Sequence, residues 1–128
     1  MKIKFGGKER GFQWGTGCIE KYCELMGGDL ETLAELDSTG IVKIKASVNL
    51  LLAAMVHHCE LNDQSVDFTY SKVSNWLDEA DQGTMDILMT DFLKSKFLGK
   101  TIEGYFSITT ENTGKKVTKQ RTKKTSIA

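Results

Sequence analysis

Apolar residues recur along this chain with two different periods, and the change of period divides it into elements. Over the first 13 residues the period is two. Ile3 and Phe5 alternate with lysines, Gly6-Gly7 supplies the positive φ angles of a tight turn, and Phe12 and Trp14 continue the alternation on the return. This predicts a β-hairpin over about 2–14. A lone hairpin is marginal in water, so it should lie on the helices that follow.

From there the period becomes helical. Thr16 stands at an N-cap position for a first helix over 17–26, with Ile19, Cys23 and Met26 on one face and Cys18, Tyr22 and Leu25 on an adjoining one. Gly27-Gly28 ends it. Asp29 then caps a short second helix holding Leu30, Leu33, Ala34 and Leu36. The third helix, about 42–61, is the longest. Ile44, Val48, Leu51, Leu52, Met55 and Cys59 form a wide stripe, and Leu50, Ala53, Ala54 and Val56 extend it nearly all round. A helix apolar on most sides is packed by neighbours on most sides, so this is the predicted central helix.

Asn62-Asp63 breaks the pattern, and Phe68 to Glu79 restarts it. Thr69 is the expected cap of a fourth helix over 70–81. Phe68 before the cap and Val73 within the helix hold the two positions of a hydrophobic staple. Lys72 stands where a capping box needs Glu or Gln, so only half of that motif is present. Val73, Trp76, Leu77 and Ala80 should face inward. Thr84 is the expected cap of a fifth helix over 85–98, with Met85, Leu88, Met89, Phe92 and Leu93 on its stripe and Gly99 as its stop. The fold class is therefore mainly α: a bundle of about five helices with an N-terminal hairpin. It divides into a helical domain over 1–98 and a flexible basic tail over 99–128. Tyr105, Phe106 and Ile108 offer a short strand or docking segment. Beyond Asn112 only Val117 and Ile127 are large aliphatics, too little to offset the entropy of ordering.

Composition fits this picture. A chain of 128 residues and 14.3 kDa suits one domain, and at 40% hydrophobic it can bury a core without metals or disulfides. Three cysteines, Cys18, Cys23 and Cys59, and a start without an apolar run suit a reducing cytoplasm. The longest apolar stretch, Val48 to Val56, is interrupted by Asn49 and falls short of the roughly 18 residues of a membrane span. The net charge of zero hides a split. Residues 1–112 carry 11 Lys or Arg against 17 Asp or Glu, whereas residues 113–128 carry six basic residues and no acid.

Catalytic chemistry is hard to assemble from these residues. His57, His58 and Cys59 are consecutive, so on a helix they diverge by about 100° each and cannot close on one metal. Cys18 and Cys23 lack CxxC spacing. The glycine pairs match neither phosphate-binding loop, and no GxSxG or HExxH is present. No cofactor and no enzymatic activity are expected. Asp78, Glu79 and Asp81 form an acidic cluster that reads either as a solvated face or as a contact for a basic partner. The basic tail, with Lys115 and Lys116, has no aromatic residue for base stacking and hangs from an acidic body, so nucleic-acid binding is not expected. The residues expected to contact a partner are Phe12, Trp14, Tyr70, Trp76, Asp78, Glu79, Lys115 and Lys116.

The segments IKFGGKERGFQWGTGCIEKYCELMGGDLETLAEL, VNLLLAAMVHHCELND and VDFTYSKVSNWLDEAD, taken in order, resemble the tail assembly chaperones of long-tailed, siphovirus-like bacteriophages. The resemblance covers roughly residues 3–98 and rests on the order and spacing of packing residues. It implies a non-enzymatic protein of the bacterial host cytoplasm, absent from the mature virion. Such a protein binds the tape-measure protein and helps recruit tail-tube subunits; self-association is left open. It also implies a longer product made by ribosomal frameshifting, for which Gly114-Lys115-Lys116 or Lys123-Lys124 could mark a slippery site; a coding sequence without a slippery heptamer there would end that idea. Two other readings stand beside it. One is a small helical regulator that lays the basic tail on nucleic acid; the other is a tail-completion protein that stays in the virion.

Overall fold

A computed structural model describes residues 1–104. Strands β1 (Lys2–Phe5) and β2 (Lys8–Gly11) pair antiparallel, with Ile3 opposite Arg10 and Phe5 opposite Lys8. Helix α1 (Thr16–Met26) follows, then a 3-10 helix (Leu30–Asp37), α2 (Gly40–Leu61), α3 (Tyr70–Glu79) and α4 (Gln82–Lys94). A second, minimal hairpin of β3 (Lys96–Phe97) and β4 (Lys100–Thr101) closes the described chain. The architecture is the expected one: mainly helical, led by a hairpin.

α2 is the axis of the fold. From Ala46 to Met55 it is buried almost without interruption, covered by α1, the 3-10 helix, α3 and β2. α1 runs antiparallel to it. Asn49 Nδ2 donates to Met26 Sδ near one end, and at the other the His57 ring fills the space a Cβ on Gly17 would need. Among the described residues α2 is the one helix long and apolar enough to cross a bilayer, contrary to the sequence expectation that no segment approaches this. Half of the qualifying window is buried within the fold, and this packing accounts for its apolarity.

The caps explain most element boundaries. Gly27 adopts the left-handed conformation after α1, and the Gly28 N–H returns to the Cys23 carbonyl. Asp29 accepts from the Leu30 N–H. Thr69 Oγ1 accepts from the Lys72 N–H, and the staple residues Phe68 and Val73 are both buried.

Five expectations need correction. Gly15, not Thr16, precedes α1; Thr16 lies inside the helix and its hydroxyl accepts from the Leu98 N–H. Asp81, not Thr84, caps α4, because its carboxylate reaches the Thr84 N–H from one turn back. That bond also holds the Asp81 carboxyl below its ordinary range. The second helix is a 3-10 helix throughout. The fifth helix stops at Lys94 rather than at Gly99: the Ser95 hydroxyl and N–H both bond back to the Phe92 carbonyl, and the chain turns into β3. Ile102 is fully buried and its N–H donates to the Ser95 carbonyl, so the folded unit runs past the expected boundary at residue 98.

Candidate binding surface

Two of the residues expected to contact a partner are interior. Phe12 is fully buried and Trp14 nearly so. They belong to a run of five rings in the order Phe92, Trp14, Phe12, Phe5, Trp76. Successive centroids are 5.3, 6.0, 5.8 and 5.9 Å apart, and three of the four steps are tilted or edge-on. The run begins on α4, crosses the N-terminal segment and ends on α3. The Trp14 indole N–H donates to the Asp91 carboxylate at 2.6 Å, fixing α4 to the segment that leaves the hairpin. These aromatics clasp α3 and α4 to the hairpin, so the alternation that predicted a return strand carries core residues.

Trp76 is half-buried at the end of this run. The Arg10 guanidinium lies 4.2 Å from the centre of its ring, and the indole rests on Gly6. A Cβ on Gly6 would come within 2.3 Å of that ring, and the residue sits at φ +66, so glycine is required there twice over. Arg10 also donates from Nε to the Phe5 carbonyl and from Nη1 to Asp67 at 2.9 Å. Lys8 reaches the other Asp67 oxygen at 3.0 Å. Hydrogen bonds from Arg10 and Lys8 hold the Asp67 carboxyl down, to about 2.

The rest of the expected set does not converge. Tyr70 is exposed at the start of α3, and Asp78 and Glu79 are exposed at its far end. Asp81, their neighbour in sequence, is occupied as a cap. Lys115 and Lys116, with the expected frameshift positions and the basic tail, lie outside the described residues.

The cysteines and histidines serve packing. Burial pushes the Cys18 thiol up to about 12 and raises Cys23 and Cys59 as well, so none is a ready thiolate. The Tyr22 hydroxyl, raised first by burial and then by Glu35, donates to the Thr32 carbonyl at 2.7 Å. The His58 ring fills the space beside Gly11. Its pKa is lowered, first by burial and then by the N-terminal amine and Lys2. His57 Nδ1 is buried without a partner among the described residues. No group of three His, Cys, Asp or Glu among these residues is placed to hold a metal.

An apolar surface at the start of α2 is exposed, and it includes Ile44, which the sequence placed on the buried stripe. Ile41, Val42 and Ile44, on the first two turns of α2, are 82%, 45% and 58% exposed. Ile41, Ile44 and Val48 share one face, so the buried stripe of α2 continues uncovered beyond its neighbours. Lys43 and Lys45 flank it, and the Lys43 ammonium bonds the Leu36 carbonyl at the end of the 3-10 helix. Periodicity marks such a stripe as apolar but does not show where its cover ends. The one sequence signal was the alternation of lysine with isoleucine in Ile41-Val42-Lys43-Ile44-Lys45.

No protein-family model, curated sequence or solved structure matches the chain.

Proposed function

We propose that this chain is a non-enzymatic binding protein that acts as a tail assembly chaperone of a long-tailed bacteriophage. In this reading it works in the host cytoplasm, binds the tape-measure protein, helps bring tail-tube subunits to it, and is left behind by the finished virion. The likeness in order and spacing over residues 3–98 supports the identity of the process. The observation that carries the binding role is the uncovered stripe of Ile41 and Ile44, which continues the buried stripe of α2 into solvent; Ile41, at 82%, is the most exposed large apolar residue among those described. A long amphipathic client helix needs a solvent-facing apolar strip of this kind, laid against its own stripe.

The reading replaces the expected contact residues Phe12 and Trp14 with the start of α2. Tyr70, Asp78 and Glu79 stay exposed at the two ends of α3.

Co-expression with the tape-measure and tail-tube proteins of one phage, followed by pull-down on tagged chain, tests the proposal. Retention of either partner, lost when Ile41 and Ile44 are both changed to Asp, is the expected result. Nucleic acid co-purifying at low salt with neither partner retained would replace it with the regulator reading. Stoichiometric presence in purified particles would replace it with the structural one.

A further inference from the structure

We infer that, before any client is bound, the exposed stripe at the start of α2 is covered by a second copy of the same chain in a two-fold antiparallel contact. The inference rests on the proposed role of that stripe as the binding surface.

The chain's own remaining residues are poorly suited to cover the stripe. The Leu98 N–H bonds Thr16 Oγ1 and the Ile102 N–H returns to the Ser95 carbonyl, so the β3–β4 hairpin lies beside the start of α1. That end of α1 packs at His57, because α1 runs antiparallel to α2. Ile44 is ~20 Å back along the helix from His57. Tyr105, Phe106 and Ile108 follow Gly104 directly, and four residues span at most ~14 Å. The segment 113–128 carries six basic residues and no acid, the same sign as Lys43 and Lys45.

A second copy is not limited by reach, and beside its own Lys43 and Lys45 it brings an acid, Asp37, to the contact. The patch is self-complementary in charge. Lys45 is exposed and makes no ion pair among the described residues, and the same holds for Asp37, which ends the 3-10 helix just before α2. An antiparallel contact that sets Ile41 of one copy against Ile44 of the other carries each Lys45 to the start of the other copy's α2, beside its Asp37. Such an isologous contact uses the same patch twice and closes on itself. The exposed apolar area is smaller than the ~800 Å² per partner of a standard interface. The dimer is therefore weak and dependent on concentration, so a client can displace it.

Sedimentation equilibrium of the full chain from ~10 to ~500 μM, a range set by that modest area, tests this directly. The wild type should pass from monomer toward dimer across the range, and Ile44→Asp should stay monomeric with an unchanged far-UV spectrum. Lys45→Glu should weaken association about two- to fivefold, as expected for an exposed ion pair, and the exchange Lys45→Glu with Asp37→Lys should restore it. The charge pair provides the test even if Ile44→Asp fails to fold. A wild type that is monomeric throughout, or a dimer unaffected by both Ile44→Asp and the charge changes, overturns the inference. A monomeric protein that still retains the tape-measure protein overturns the dimer alone. A dimer that retains no client overturns the chaperone reading alone.

Discussion

The two ends of α2 carry the same apolar period and meet opposite surroundings. From Val48 to Cys59 the stripe lies under α1, α3 and the N-terminal hairpin, and the residues around it are joined by five aromatic rings and the contacts of Arg10. Over the first two turns the stripe goes on as Ile41 and Ile44, and nothing among the described residues covers it. One end is built to be stable in isolation. The other has apolar area that nothing among the described residues buries, the kind of surface that association covers. The contrast assigns stability to the aromatic clasp and binding to the start of α2.

The largest effects should come from breaking the clasp. Phe12→Ala empties a fully buried site in the middle of the ring series and is expected to cost roughly 3–5 kcal/mol, read as a lower urea midpoint at constant m-value. Trp76→Ala removes a half-buried ring with its Arg10 contact, at about 2–3 kcal/mol. A midpoint equal to wild type in either case would mean that the rings touch without supporting α3 and α4.

Trp14→Phe keeps most of the ring and deletes the donor to Asp91. A loss of about 1–2 kcal/mol is expected, and Asp91→Asn should recover part of it by removing the stranded charge. The double-mutant cycle isolates the bond from the ring packing.

A smaller effect is expected from pH. The Asp67 carboxyl is depressed to about 2 in the folded chain by Arg10 and Lys8, against roughly 3.9 when unfolded. A depressed carboxyl contributes stability above its unfolded pKa, and the contribution is lost as pH falls from about 4 toward 2. Asp67 is half exposed, so solvent screens most of it. The urea midpoint of wild type should fall slightly more than that of Asp67→Asn over this window. Equal slopes would show that the pair contributes nothing at this surface.

Much of this contrast was legible in the sequence, and what was not has a physical reason. The hairpin turn, the Gly27 end of α1, the Thr69 cap with its Phe68 and Val73 staple, and the central place of α2 all follow from local chemistry that neighbours do not override. The caps of α1 and α4 were misplaced by one and three residues, because serial candidates such as Asp81 and Thr84 are separated only by which oxygen finds which N–H. The binding surface was harder. Phe12 and Trp14 read as contact candidates through their exposed parts until the rings of α3 and α4 are brought to them. Ile44 reads as core because periodicity reports a face, not its cover. Both errors have one source: which element covers a given face is a tertiary property.

The most direct test of the division is the double variant Ile41→Asp with Ile44→Asp, measured for stability and for retention of the tape-measure protein together. The account predicts a urea midpoint within about 0.5 kcal/mol of wild type, as for exposed sites, and complete loss of retention. A midpoint lowered by several kcal/mol, or retention at the wild-type level, would contradict it.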